Sequence, residues 1–397
     1  QESEPFFSAV QLGAEYATLT SSQLILGSAT PTIAQMFKAE KSGWTILKLD
    51  SRASGIEAPT VLLTDMRQEL KSGNRSPFST ALIREIGKTL EMGLQTILYL
   101  NRRGTAGYSF CRSCGFDFRC PHCDIPLTWH QRNALLMCHF CGYQQPLPAR
   151  CPSCDEMELG HLGIGVEQVE RTAQQLFPAA RVLRMDAQTT AATGAYERIL
   201  TDFDEGKADI LIGTQMVAKG LDFPGVRLVG VILADVGTNF HDYRVDELTF
   251  QLLTQVTGRA GRIDIPGIAI LQTYQPERYS IRAAVDGDYE AFYRKELQYR
   301  RQIGYPPFVR LGRVLAQDKD PQAARQAAQA AAAAFSSQIR ARNARSVSLI
   351  GPAPCYFQKI RGQYRWHVIL RAADPVSYMQ TLDRQKYRIE IDPPNLL

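Results

Sequence analysis

The stretch ILIGTQMVAKGLDFP, residues 210–224, joins a short apolar strand to a loop of small and polar residues. The strand ends in Gly213-Thr214, and the loop carries Gly220 and Asp222. Small residues at such a turn let backbone N–H groups approach a phosphate closely, while a carboxylate can bind a ribose hydroxyl. The stretch therefore predicts a nucleotide or nucleic-acid contact, although an ordinary strand-to-helix turn would explain it equally well on its own.

Short, nearly continuous apolar runs alternate with helical patterns on both sides of this stretch. Such alternation is typical of a parallel sheet that helices cover on both faces. We therefore predict an α/β lobe over residues 59–275. Its predicted strands are 96–100, 181–185, 209–213, 228–233 and 268–274, and its predicted helices are 80–92, 165–176, 195–203 and 246–257.

A second motif, QVTGRAGR, begins at Gln255 and follows the last of these helices. Its two arginines, Arg259 and Arg262, are spaced so that both can reach one cleft. Planar guanidinium groups suit the γ-phosphate of a nucleotide at the boundary between two lobes. A solvated basic turn is the alternative interpretation.

A third motif, GSATP at residues 27–31, follows an apolar run at residues 23–26 that predicts a strand. The short residues Ser28, Ala29 and Thr30 suit a switch that couples the state of a nucleotide to a neighbouring lobe. A plain helix N-cap followed by proline would explain the same residues. Beyond this motif, Gly, Pro and Ser are scattered through residues 44–76, which predicts a connector.

Eight of the nine cysteines fall in four Cys-x-x-Cys pairs between the first strand of the lobe and its next helix. Two thiolates with this spacing can face one tetrahedral ion, so four pairs predict two zinc ions with no open position for catalysis. The spacing allows sequential, crossed or nested pairing, and the short spacer between the first two pairs disfavours the sequential arrangement. We predict a metal-binding insertion over residues 108–160, with the pairs Cys111/Cys114, Cys120/Cys123, Cys138/Cys141 and Cys151/Cys154.

The remaining features concern the ends of the chain and its surroundings. No apolar run approaches the roughly 18 residues of a membrane helix, so we expect no membrane partner. The closely spaced Cys-x-x-Cys pairs are typical of metal-binding proteins in a reducing cytoplasm. The net charge of +5 permits nucleic-acid binding but is not evidence for it.

The pattern of residues 276–397 predicts a separate α+β domain. Its basic and aromatic stretch 359–366 fits either nucleic-acid binding or an edge strand. The chain begins without Met, and we expect a truncated protein.

In chain order, GSATP at residues 27–31, the stretch 210–224 and QVTGRAGR at 255–262 resemble motifs III, V and VI of superfamily 2 helicases, and NRRG at residues 101–104 resembles motif IV. With the cysteine insertion directly after motif IV, the chain resembles the PriA family of replication-restart helicases in particular. The patterns GYPPF at 304–308 and GPAP at 351–354 also match that family. The resemblance implies a RecA-like helicase lobe with an inserted two-zinc ribbon and a C-terminal α+β domain, with residues 1–58 forming the end of the first lobe and a connector.

The resemblance also implies functions for individual residues. The nested pairing would place Cys111, Cys114, Cys151 and Cys154 on one zinc ion, and Cys120, Cys123, Cys138 and Cys141 on the other. Arg259, Arg262 and Gln255 would act in catalysis, and Gly220 and Asp222 would bind the nucleotide. The implied DNA contacts are Asn101, Gly213, Thr214 and Gln215, and the implied coupling residues are Ser28, Ala29 and Thr30.

The implied activity is ATP-driven 3′-to-5′ DNA unwinding at stalled or collapsed forks, with Mg²⁺ bound to the ATP. The implied partners are branched and single-stranded DNA, single-stranded DNA-binding protein, and primosome and helicase-loading proteins. The implied location is the cytoplasm, at the nucleoid. A non-catalytic zinc-ribbon module that binds DNA or protein is the alternative, but such a module has no use for Arg259 and Arg262 together with Gly220 and Asp222.

Half of a nucleotide site is missing from the sequence. No G-x4-GK[ST] motif occurs, since the GKT at residues 87–89 has Leu82 where the first glycine should stand and lies in a predicted helix. Leu233-Ala-Asp235 follows a strand and mimics an acidic magnesium motif, but it lies between the two phosphate motifs, which is the wrong position. We therefore expect this chain alone neither to hydrolyse ATP nor to unwind DNA.

Overall fold

A six-stranded parallel sheet forms the centre of the lobe in the computed structural model. The structure describes residues 8–49, 58–100, 109–130, 134–157, 159–161, 165–186, 188–214, 223–235, 242–261 and 266–393. In spatial order, the strands of the sheet are Thr60–Asp65, Ile268–Thr273, Val226–Val231, Gln95–Tyr99, Ile210–Gly213 and Val182–Met185. The four strands at 95–99, 210–213, 226–231 and 268–273 are buried almost throughout, as a sheet covered on both faces requires.

Helices pack on both faces of this sheet and create two apolar cores. On one face, Leu82 and Ile86 are fully buried beside Val166 and Val169. On the other, Phe250 stacks on Phe292 with ring centroids 4.4 Å apart. The helices of the described residues are Ala9–Thr20, Ile33–Lys41, Met66–Lys71, Thr80–Glu91, Val166–Leu176, Ala195–Asp204, Val245–Thr257, Tyr279–Asp286, Tyr289–Ile303, Pro321–Ala341 and Val376–Met379.

The predicted α/β alternation is confirmed, with strand and helix ends within about two residues of those expected. The GKT sequence lies inside the helix Thr80–Glu91, where the Thr89 hydroxyl donates to the carbonyl of Glu85 at 2.7 Å. This segment is therefore no phosphate loop.

Two predictions about the N-terminal third are wrong. Residues 23–26 form no strand, and Ile25 is 82% exposed, because none of the described strands lies beside this apolar run to pair with it. Conversely, no strand is predicted at Thr60–Asp65, where the predicted connector 44–76 overlaps the predicted lobe 59–275, but this segment pairs in parallel with Ile268–Thr273 as an edge strand of the main sheet.

The cysteine insertion and the C-terminal region each form small antiparallel sheets. In the insertion, Ser109–Cys111 pairs with Leu159–His161, and a three-stranded sheet joins Thr128–His130, Leu135–Met137 and Gln144–Pro146. The C-terminal sheet contains, in spatial order, Ser348–Ile360, Gln363–Ala372, Arg310–Asp318 and Arg388–Ile391. No helix in the described ranges combines the length and apolar character needed to cross a bilayer.

Candidate functional site

The arginine motif lies at the amino edge of the main sheet. The helix Val245–Thr257, called the arginine helix below, is followed by the turn that holds Arg259. Gly261 adopts a left-handed φ of 72° and donates its N–H to the carbonyl of Val226, the first residue of its strand, at 3.1 Å. These contacts fix the position of the partly buried Arg259.

A second glycine presses on the same turn. A Cβ on Gly267 would lie 2.4 Å from the backbone of Ala260, closer than any real side chain approaches. The backbone around Arg259 is therefore held from two sides, while Gln255 stays exposed one turn earlier on the arginine helix. Arg262 lies outside the described residues.

The carboxyl edge of the sheet carries the predicted nucleic-acid contacts. Gly213 ends its strand beside Tyr99, and Leu100 donates its N–H to the carbonyl of Gly213 at 2.9 Å. Thr214, partly buried, follows directly. The strands that precede motifs IV and V are thus neighbours, while Asn101 and Gln215 themselves lie outside the described residues.

The two predicted nucleotide residues of the first stretch, Gly220 and Asp222, also lie outside the described residues. Phe223, which follows Asp222, is buried in the lobe core, and its carbonyl accepts the N–H of Val226 at 3.1 Å. Phe223 therefore lies at the amino edge, the same edge as the arginine turn, whereas Thr214 lies at the carboxyl edge.

The GSATP motif contacts the arginine helix. Thr30 is 7% exposed, and its carbonyl accepts a hydrogen bond from the Gln251 side chain at 3.1 Å. Ser28 and Ala29 are exposed, and the Ser28 hydroxyl accepts the N–H of Thr30 at 3.1 Å. Gln251 did not emerge from the sequence, although its spacing of four residues from Gln255 places both on one side of the helix.

The eight cysteines gather into two groups of four, each with its sulfur atoms within 4.8 Å of one another. Within the groups, the Sγ–Sγ distances include 3.6 Å, 3.7 Å and 3.5 Å. Zinc–sulfur bonds of about 2.3 Å in a tetrahedron require about 3.8 Å between sulfurs, so the groups fit zinc. Group 1 contains Cys111, Cys114, Cys151 and Cys154, and group 2 contains Cys120, Cys123, Cys138 and Cys141, which is the nested arrangement.

Group 1 is attached to the parallel-sheet lobe. Arg67 donates to the carbonyl of Cys114 at 3.2 Å, and the Gln275 side chain donates to the carbonyl of Gly115 at 3.0 Å. The ring of Phe110 packs against Tyr274, with centroids 5.0 Å apart. Because these lobe residues follow strands of the main sheet, group 1 is held at the carboxyl edge, away from the arginine turn.

Group 2 is attached to the C-terminal region. The His367 Nε2 atom lies 2.8 Å from the carbonyl oxygen of His139, the residue after Cys138. The Tyr299 hydroxyl donates to the carboxylate of Asp124 at 2.6 Å. One apolar core contains residues of the group 2 ribbon together with residues of the C-terminal region, namely Phe118, Cys120, Cys138, Phe140, Tyr305, Leu311, Ile350 and Ile369.

Asp235 is a structural carboxylate. It is fully buried and accepts hydrogen bonds from the Thr273 hydroxyl at 2.8 Å and from the Tyr274 N–H at 3.0 Å. Burial raises the pKa of Asp235 to about 6, against these two donors, which lower it. Since the protein itself supplies its donors, Asp235 joins two strand ends and does not resemble a magnesium ligand.

The fold and the site define a RecA-like helicase lobe, and residues 159–264 match the family model of the helicase conserved C-terminal domain. Residues 120–146 match the PriA DNA helicase Cys-rich region domain, and residues 301–394 match the primosomal protein N C-terminal domain. The chain belongs to the PriA family of replication restart proteins.

Curated relatives support this assignment along the whole chain. Replication restart protein PriA of Bacillus subtilis is 40% identical over 401 residues, which cover 100% of this chain and 49% of the relative. The Treponema pallidum protein is 40% identical over 88% of this chain and 51% of its own length. The Haemophilus influenzae protein is 35% identical over 93% of this chain and 50% of its own length. The chain thus spans about half the length of the curated relatives it matches.

Proposed function

We propose that this chain forms the second lobe, zinc ribbon and C-terminal domain of an ATP-dependent 3′-to-5′ DNA helicase. The proposed helicase recognises stalled or collapsed replication forks and initiates primosome assembly for replication restart. One observation carries the proposal: the arginine turn lies at the amino edge of the sheet, whereas Thr214 and metal group 1 lie at the carboxyl edge. The proposed domains are the end of a first lobe with a connector at residues 1–58, the second lobe at residues 59–275 and the C-terminal α+β domain at residues 276–397. The zinc-binding insertion occupies residues 108–160 of the second lobe.

The amino edge is the proposed nucleotide side. Arg259 and Arg262, with Gln255, would bind the γ-phosphate of ATP at the boundary with a first helicase lobe, and Gly220 and Asp222 would bind the rest of the nucleotide. Guanidinium groups stabilise the charge that develops on the transferred phosphoryl group. The first lobe would supply the phosphate loop and the carboxylates for Mg²⁺.

The carboxyl edge is the proposed DNA side. Gly213 and Thr214, with Asn101 and Gln215, would contact the DNA backbone, and branched or single-stranded DNA would continue towards the zinc ribbon. In the C-terminal sheet, the hairpin around residues 357–364 exposes 52% of Phe357 and places Lys359 over the ring of Tyr364 at 4.6 Å. Such basic and aromatic surfaces suit phosphate contacts and base stacking.

Two Zn²⁺ ions would stabilise the ribbon and take no part in ATP hydrolysis, because each group already offers four thiolates to a tetrahedral ion. The proposed protein partners are single-stranded DNA-binding protein and the primosome and helicase-loading proteins, and the proposed location is the nucleoid. Under the alternative, a non-catalytic ribbon module, the arginine turn would have no function.

The test is an unwinding assay with this chain joined to a first helicase lobe, called the two-lobe protein below. We expect ATP-dependent unwinding of a fork with a 3′ single-stranded tail, and little unwinding of the same fork with a 5′ tail. The 397-residue chain alone should be inactive. DNA binding without ATP hydrolysis by the two-lobe protein would favour the alternative, and robust ATP turnover by this chain alone would refute the division between the lobes.

A further inference from the structure

Glu247, near the start of the arginine helix, joins three separate segments of the chain. One carboxylate oxygen accepts the N–H of Ile33 at 3.3 Å, and the other accepts a hydrogen bond from the Arg300 guanidinium at 2.6 Å. Glu247 is 3% exposed and Arg300 is 1% exposed. A single buried carboxylate thus contacts the helix after the GSATP motif, the arginine helix and the helix that leads to the C-terminal sheet.

The bond to Ile33 satisfies a donor that the helix Ile33–Lys41 cannot satisfy itself. The first N–H groups of a helix have no carbonyl partner within it, and a negative charge near them is favourable. The Thr32 hydroxyl accepts the N–H of Gln35, and the Gln35 side chain accepts the N–H of Thr32. Glu247 completes this cap from the arginine helix.

Two further contacts hold the same short segment. The Gln251 side chain donates to the carbonyl of Thr30 at 3.1 Å, and the Tyr289 hydroxyl donates to the carbonyl of Pro31 at 3.0 Å. Residues 30, 31 and 33 therefore each bind the arginine helix or the helix Tyr289–Ile303 through a backbone group. These hydrogen bonds fix the position of the backbone of residues 30–33. Apolar packing alone would not fix the backbone in this way.

We propose that Glu247 and Gln251 are positioning residues that clasp residues 30–33 against the arginine helix. Glu247, Gln251 and Gln255 recur every four residues along the arginine helix, a spacing that places neighbours on one side of a helix, and Arg259 lies in the turn that directly follows this helix. A displacement of residues 30–33 would therefore be passed along the helix to the turn that holds Arg259. The clasp rests on the structure alone, while its consequence for unwinding rests on the proposed function.

Amide hydrogen exchange of this chain tests the clasp directly. Gln251→Ala removes the bond to Thr30 without leaving a buried charge unpaired. We expect exchange in residues 28–36 to accelerate about fivefold, as loss of one hydrogen bond allows, with little change in the strand Ile210–Gly213. The matched control is Gln175→Ala, at an exposed glutamine of another helix of the same lobe. Equal exchange in the variant and the control would overturn the clasp.

Glu247→Gln tests the charge of the clasp, since it keeps an acceptor for Ile33 but leaves Arg300 without this anionic partner. We expect faster exchange at Ile33, because a neutral amide oxygen accepts a hydrogen bond more weakly than a carboxylate, and also faster exchange in the helix Tyr289–Ile303, which loses this ion pair. If this variant fails to fold, as removal of a buried ionic partner can cause, the Gln251→Ala result still decides.

In the two-lobe protein, Gln251→Ala should lower the number of base pairs unwound per ATP hydrolysed more than it lowers ATP hydrolysis itself. A merely destabilised protein would lose both in proportion, and that outcome would count against positioning. Absence of ATP hydrolysis in the unsubstituted protein would refute the proposed function and leave the exchange result for the clasp intact.

Discussion

Gly115, the residue after Cys114, lies directly against the carbonyl oxygen of Tyr274, which a Cβ on this glycine would approach to 2.2 Å. Gly142 holds the equivalent place after Cys141, yet its Cβ would meet only ordinary contacts, the nearest at 3.7 Å from Ala353. Both glycines have a positive φ, 81° and 80°. The turns after Cys114 and Cys141 therefore share one local conformation, and they differ in how closely a neighbouring segment packs against them.

This difference predicts unequal effects of the same substitution. Gly115→Ala and Gly142→Ala both place a Cβ in a left-handed conformation, at about 1–2 kcal/mol each. Only Gly115→Ala also forces the turn after Cys114 away from Tyr274. We therefore expect Gly115→Ala to destabilise the zinc-loaded chain by at least about 2 kcal/mol more than Gly142→Ala does. Urea unfolding of the two variants measures the difference, and equal midpoints would contradict the observed contact.

The two metal groups should lose zinc at different rates. Group 1 includes the exposed Cys154, whereas Cys138 of group 2 is completely buried. We expect a chelator to remove one equivalent quickly and one slowly, and the fast equivalent should be missing from Cys154→Ser. Cys355→Ser, at the buried cysteine outside both groups, should retain both equivalents. Release of both zinc equivalents at one rate would contradict the expected difference between group 1 and group 2.

Loss of group 2 should loosen the C-terminal sheet, because the two share one apolar core. Limited proteolysis of Cys138→Ser should therefore cleave within residues 310–391 faster than in Cys154→Ser, with both compared at equal zinc supply. If the sheet is equally protected in the two variants, the shared core contributes little to its stability.

Burial of Asp235 predicts a pH dependence of stability. Its pKa of about 6 in the folded chain exceeds the value of about 3.9 in an unfolded chain. The folded state holds the proton more tightly, so stability falls as pH rises from about 4 to about 6 and stays lower above that range. Asp235→Asn should remove this fall, a difference of up to about 3 kcal/mol. Urea unfolding at several pH values checks it, and parallel pH curves for the two proteins would contradict it.

Local sequence pattern predicted most of the main sheet because strands buried on both faces are continuous apolar runs. The same reasoning failed at residues 23–26, where an apolar run has no partner among the strands that the structure describes, and it missed the edge strand Thr60–Asp65 among turn-forming residues. Local pattern cannot report whether a partner strand exists. It therefore predicts the buried centre of a sheet better than its margins.

The candidate site divides in the same way. Spacing revealed the four cysteine pairs but left their connectivity open, since the nested arrangement depends on pairing between Ser109–Cys111 and the distant Leu159–His161. The local sequence does not indicate a role for Glu247 or Gln251, because their partners, Ile33 and Thr30, are more than 200 residues away. Such contacts arise only when the chain folds.

DNA-stimulated ATP hydrolysis by Arg259→Ala in the two-lobe protein tests the central claim most directly. An arginine that stabilises the transferred phosphoryl group contributes about 10³-fold or more, so we predict a fall of at least about a hundredfold, with DNA binding retained. Arg282→Ala, at a half-exposed arginine of the helix Tyr279–Asp286, serves as the control and should hydrolyse ATP normally. Unchanged hydrolysis in Arg259→Ala would show that the amino edge of this sheet is not the nucleotide side.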